Sequence, residues 1–285
     1  MFLIGQYDSP FVRRVAIALR LYGLAFEHKP WSTFGDADKI APYNPLRRVP
    51  TLVLDDGEAL IESTIILDYL DELAGSEKAM LPRAGADRRK HLRICALASG
   101  LGDKAVSLLY ERVLRKDQLA LWVERCQAQI SDVLGVLEAE RARVTTSYWL
   151  GDRIGHADIA VACVVRFTRE AHPQLFESPR YPALSAHAER CEELAPFREI
   201  VQPLAPPKAV RDLSGHSGAR LLARTRNPLR SVSCGQMDSG LALRAPRNDD
   251  GGARRNPPDG RSGRSCIDTG VLPDVASRFG KAEIP

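Results

Sequence analysis

No stretch of the 285-residue chain approaches the roughly 18 consecutive apolar residues of a membrane span, so an integral membrane role is not expected. The opening Met1-Phe2-Leu3-Ile4-Gly5-Gln6-Tyr7 carries no basic leader and is too short for a signal peptide. Cysteine is sparse: the six residues at 95, 126, 163, 191, 234 and 266 form no close pair. That spacing supports neither a zinc site nor a small disulfide framework, and it fits a reduced compartment. A cytoplasmic location is the resulting expectation. The six histidines are dispersed, and no two share a metal-ligand spacing on one helix face, so no metal is expected. A glycine-rich phosphate loop, a Ser-His-Asp order and an internal repeat are likewise missing.

What is present divides into two unlike pieces. The formal charge of +4 sums a balance of −2 over residues 1–204 and of +6 over residues 205–285. The second piece has 10 Gly, 8 Pro and a single aromatic residue, Phe279. Its Leu, Ile, Val and Phe make up about 17% of it, below the roughly 20% at which a chain begins to bury a core. The expectation is a globular body followed by a disordered basic tail over 205–285. The tail's arginines are scattered without interleaved aromatics, so no specific nucleic-acid partner is expected.

Within the body, Met1–Tyr7 reads as a strand, and Ser9-Pro10 marks a change to helix. Val12, Val15, Ala16, Leu19 and Tyr22 keep a helical spacing that ends at Gly23. Ala25–Trp31 reads as a second strand and is followed by a loop. Thr51–Leu54 and Glu58–Ile61 flank the turn Asp55-Asp56-Gly57 as a hairpin. Glu62-Ser63 opens a helix with Ile66, Tyr69, Leu70 and Leu73 on one face. This β-α-β, β-β-α order predicts a small α+β domain over 1–75. A linker over 76–84 and an all-α helical bundle over 85–204 follow. Ile159–Val165 is apolar on every side and reads as the central helix of the bundle. Gly155 stands at its N-cap, Asp158 at its third position, and Ile154 and Ile159 form a hydrophobic staple.

Four segments carry a family resemblance: Ser9-Pro10-Phe11-Val12-Arg13, Asn44-Pro45 with Val49-Pro50-Thr51-Leu52, Glu62-Ser63, and Gly155-His156-Ala157-Asp158-Ile159. In that register they resemble the glutathione S-transferase family, in particular bacterial members with a serine-type N-terminal motif, over about residues 1–204. The resemblance implies a thioredoxin-like N-terminal domain that binds glutathione as co-substrate. It also implies a helical domain that supplies an apolar pocket for a small electrophile, around residues 100–115 and 156–170. A cytoplasmic homodimer, with the helix after Glu62-Ser63 at its interface, and a detoxifying conjugation reaction follow from the same resemblance. So does a rival from another class: a glutathione-binding but non-catalytic regulatory protein on this fold.

The chemistry is activation of a thiol. A thiol with pKa about 8.5 is mostly protonated at neutral pH, and the thiolate is the nucleophile. A hydroxyl at a helix N-terminus donates to that sulfur at roughly 1.5–3 kcal/mol, and the helix dipole adds roughly 0.3–1 kcal/mol. Together these lower the thiol pKa by about 1.5–3 units. The resemblance places Ser9 in this role, with Tyr7 as the alternative donor used by other classes; a plain N-cap fits Ser9 equally. Val49-Pro50 matches the family's cis-proline, which presents the Val49 main chain to the peptide ligand. Glu62 and Ser63 match the site for the γ-glutamyl end, and Arg48 is placed to reach the glycine carboxylate. Arg13 reads as structural. Two residues depart from the family pattern: Arg47 stands where glycine is common, and Gly155 where serine or threonine usually caps the helix.

Overall fold

The computed structural model of the chain describes residues 1–207. Its first part runs β1 (Phe2–Ile4), α1 (Pro10–Leu21), β2 (Glu27–Lys29), α2 (Ala37–Ile40), β3 (Thr51–Val53), β4 (Ala59–Ile61) and α3 (Ser63–Ala74). Only helices follow: α4 (Gly85–Leu114), α5 (Ala120–Arg141), α6 (His156–Ala171), α7 (Pro182–Glu192) and α8 (Ala195–Glu199), with a 3-10 turn at Ser178–Arg180. Helix α2 falls in the segment expected as loop. At four residues it is too short for a periodic face to show in the sequence, and Ile40 is its one buried residue.

The four strands lie in the order β2-β1-β3-β4. β1 pairs parallel with β2 and antiparallel with β3, which pairs antiparallel with β4. Alternation along each strand divides two cores between the faces of the sheet. Leu3 and Leu52, directly opposite each other, pack with α1 and α3. Ile4 and Val53 pack with Ile40 of α2 on the other side. Helix α1 is buried beyond its expected stripe, since Ile17 and Ala18 are also fully inside. The reason is α6, whose Ile159, Ala162 and Cys163 join the same core as Val12 and Val15. This is a thioredoxin-like domain packed against a helical one, the fold class expected.

Polar side chains join the two parts. The buried Arg13 donates to both carboxylate oxygens of Glu192 and to the carbonyls of Phe197 and Ile200, which draws α7 and α8 onto α1. Asp71 of α3 accepts from the Tyr22 hydroxyl, from the Met80 and Leu81 N–H groups, and from His156 Nε2 at 2.8 Å. Burial pushes the Asp71 carboxyl up, but these donors outweigh it and hold the group below its usual range. Arg153 meanwhile binds the carbonyls of Glu77, Lys78 and Ala79 at 2.7–2.9 Å. The expected linker is thus clamped from both sides. Of the expected basic tail, residues 208–285 lie outside the described residues. Ala205–Pro207 lie inside them and help to wall the cavity treated next.

Candidate functional site

Ser9 caps α1. Its Oγ accepts the Val12 N–H at 3.4 Å, a long and weak capping bond, and Pro10 fills the first turn, where its missing N–H costs nothing. A capping serine uses a lone pair and leaves its own O–H proton free. That free donor sits on the wall of a cavity of about 430 Å³. The cap and the thiol-activating donor are therefore compatible roles for one hydroxyl. Tyr7 lies outside that wall. Its ring stacks on His28 at 3.8 Å between centroids, and burial pushes its phenol pKa up.

The loop between α2 and β3 brings two more expected residues to the cavity, Arg48 and Val49. The Val49–Pro50 peptide is cis, and Pro50 itself is buried behind the wall. Asn44, which is 1% exposed, shapes this loop. Its Nδ2 donates to the Arg48 carbonyl at 2.9 Å and to Thr51 Oγ1 at 3.1 Å, and its Oδ1 accepts the Leu46 N–H. Arg47 adopts φ +52°, the left-handed conformation that favours glycine. The loop keeps the glycine shape although an arginine occupies it. Arg48 faces Asp103 of α4 at 3.8 Å across the mouth.

Glu62 and Ser63 lie outside the wall of the cavity, at the opening of α3. Glu62 is exposed and holds φ +70°, a strained position for a residue with a side chain. Ser63 is fully buried, and its hydroxyl accepts from Arg14 of α1.

The second wall comes from the helical part. Asp103, Val106, Ser107, Leu109 and Tyr110 of α4 and Phe167 of α6 face Ser9 across the cavity, within the two stretches expected to supply the pocket. Phe34 touches Tyr110 edge-on at 5.1 Å between centroids. The chain's last described segment closes one side. The Leu204 N–H binds Glu170 and the Ala205 N–H binds Asp8, both at 3.0 Å. Sequence reasoning missed Asn44, Trp31, Phe34 and this closing segment; Asn44-Pro45 was visible as a motif, while the others carry no local signal.

The cysteines are poor candidates for covalent chemistry. Burial pushes the Cys95 thiol to about 12 and the Cys163 thiol to about 11, and raises that of Cys191 as well. Among the described residues, no group of three or more His, Cys, Asp or Glu is placed to hold a metal ion, and no helix is long and apolar enough to cross a membrane.

Comparison with known proteins agrees with this geometry. The model of the glutathione S-transferase N-terminal domain matches residues 3–78, and that of the C-terminal domain matches residues 120–190. The uncharacterized GST-like protein YibF of Escherichia coli K12 is 32% identical over 217 residues, which is 73% of this chain and 100% of that one. A glutathione S-transferase of Methylobacterium radiotolerans, solved with glutathione sulfonate, is 29% identical at a TM-score of 0.67, covering 74% of this chain and 98% of its own. A glutathione transferase family member of Pseudomonas fluorescens Pf-5, solved with bound glutathione, is 30% identical at a TM-score of 0.64, covering 71% and 99%. The chain belongs to the glutathione S-transferase family.

Proposed function

We propose that the protein is a glutathione transferase that activates the glutathione thiol for attack on a small electrophile. One observation carries the reading: a hydroxyl with a free proton, Ser9, at the start of a helix and on the wall of a cavity lined by Val49, Arg48 and an apolar helical face. Glutathione lies with its cysteinyl unit along Val49, its glycine carboxylate toward Arg48 and its γ-glutamyl end at Glu62 and Ser63. The sulfur then faces Ser9, where the hydroxyl bond and the α1 dipole favour the thiolate. The strained Glu62 supports a ligand role for that turn, since such conformations persist where surrounding structure holds them for function. The electrophile enters between Phe34, Val106, Tyr110 and Phe167. We further propose that the chain works in the cytoplasm as a homodimer, with Ile65 and Leu73 of α3 at the interface; both are half-exposed apolar side chains. Detoxification by conjugation is the role this chemistry serves.

The test is Ser9→Ala, with the thiolate absorbance of bound glutathione followed against pH. Turnover is expected to fall about tenfold or more, the loss of one charge-assisted hydrogen bond, with glutathione affinity nearly unchanged. An unaltered thiol pKa in the variant removes Ser9 from the role. Glutathione binding without turnover on a panel of electrophiles establishes the regulatory alternative instead.

A further inference from the structure

Arg14 lies on α1 and is 4% exposed, beside the expected γ-glutamyl site. Its guanidinium donates to three hydroxyls: Ser63 and Thr64 at the start of α3, and Ser99 of α4 at 2.8 Å. The Phe11 ring covers it at 5.5 Å. Among the described residues no carboxylate pairs with it, and its Nε is buried without a partner. The contrast with its neighbour is direct, since Arg13 is equally buried but holds Glu192 through both oxygens. A buried charge is ordinarily paired, and neutral hydroxyls offset its desolvation only in part.

The missing anion has an obvious place. Ser63 begins a twelve-residue helix whose first N–H groups are unclaimed within it. The Ser63 hydroxyl accepts from Arg14, so its own proton is free to be donated outward. We propose that Arg14 is a positioning residue for the α-carboxylate of the γ-glutamyl unit. It orients the Ser63 hydroxyl as a donor to that carboxylate and gains from it the negative charge that the protein does not supply. The carboxylate is then bound by hydroxyl and helix N-terminus in front, with the guanidinium behind them. This inference rests on the reading of the α3 turn as the γ-glutamyl site. Burial lowers the guanidinium pKa, the direction expected of a cation awaiting its counter-charge.

The experiment compares two peptides: glutathione, and its analogue carrying 4-aminobutanoyl in place of the γ-glutamyl unit, which lacks only the α-carboxylate. Binding is measured by calorimetry on the full chain and on Arg14→Gln, Arg14→Met and Arg14→Lys, each first checked for a cooperative melt. The wild-type protein is expected to prefer glutathione by about tenfold or more, the preference dropping below about threefold in Arg14→Gln and Arg14→Met and persisting in Arg14→Lys. The drop should arise from glutathione alone, with the analogue binding as before. Equal weakening of both peptides makes Arg14 merely structural and overturns the proposal. So does equal affinity of the wild-type protein for the two peptides, a result that needs no variant to fold. If the wild-type protein binds neither peptide, the glutathione reading itself fails.

Discussion

A single backbone angle at Arg47 records how this chain departs from its family's common pattern while keeping the loop. At φ +52° a side chain costs about 1–2 kcal/mol, whereas glycine adopts the conformation freely. The arginine's ion pair with Asp38 is exposed on both sides and offsets little of this. Arg47→Gly should therefore be more stable than Arg47→Ala by about 1 kcal/mol, the reverse of the usual ranking. Urea titration of the two variants checks it, and a more stable alanine variant would mean that the loop has shifted. Asn44 acts at the same scale. Asn44→Ala leaves the Arg48 carbonyl and the Leu46 N–H without their partner and should cost about 1–3 kcal/mol, with weaker glutathione binding because the loop carries Val49. The motif Asn44-Pro45 was legible in the sequence, but the asparagine's work was not, because its partners are set by the folded turn.

At the scale of elements, the start of α6 shows one residue substituting for another from a different helix. Gly155 at the N-cap has no side-chain acceptor. The N–H of Ala157, which a capping serine or threonine would satisfy, is accepted instead by His91 Nε2 of α4 at 2.8 Å. The histidine also explains why glycine stands there, because a Cβ on Gly155 would lie 2.4 Å from His91 Cε1. Asp158 completes the arrangement by accepting the Gly155 and Trp149 N–H groups at 2.8 and 2.9 Å. Gly155→Ser should destabilise the wild-type protein by the clash, and His91→Ala by about 1–3 kcal/mol through the lost acceptor. Together they should cost less than the sum by about 1 kcal/mol or more, since the new hydroxyl takes over the cap and the clash has gone. A double-mutant cycle in chemical denaturation reads this coupling, and strict additivity would refute it. Asp158→Ala strands two buried N–H groups and should cost about 2–6 kcal/mol, which keeps that residue a folding rather than a catalytic one.

Over the whole molecule these buried groups set the response to pH. Burial, reinforced at His91 by His156 and opposed by Asp71, pushes that imidazole down to about 4. Burial and Arg141 do the same at His187. Both are essentially inaccessible to solvent. In the unfolded chain they titrate near 6.5, so between about 6.5 and 4 the unfolded state binds more protons and stability is lost as the pH falls. Asp158 acts in the opposite sense: burial raises it to about 6, and the native state takes up its proton first. The expected outcome is a loss that begins as the pH drops below about 7, at up to roughly 1.4 kcal/mol per pH unit for each histidine, eased below about 6 by Asp158. Thermal melts between pH 7.5 and 5 check the sign, and a melting temperature that rises through this range on acidification would contradict it. At the same scale, a chain ending at Ala209 should keep the melting temperature and glutathione affinity of the full chain. One ending at Gln202 loses the tethers of Leu204 to Glu170 and Ala205 to Asp8, and should hold electrophiles more weakly.

The sequence by itself determined the order of the elements, the Ser9 cap, the Gly155–Asp158 start of α6 and the all-round burial of that helix. Each is written in residues a few positions apart, where period and capping act. Only the tertiary structure decided which hydroxyl faces the cavity, since Ser9 and Tyr7 stand two residues apart and the turn sends them different ways. It alone joined Arg14 to Ser63, His91 to Ala157 and Asp8 to Ala205, pairs separated by 49, 66 and 197 residues. Such partners share no local pattern. They meet because the sheet and α6 bury α1 on both sides, and a buried donor or acceptor takes whatever partner packing brings within reach.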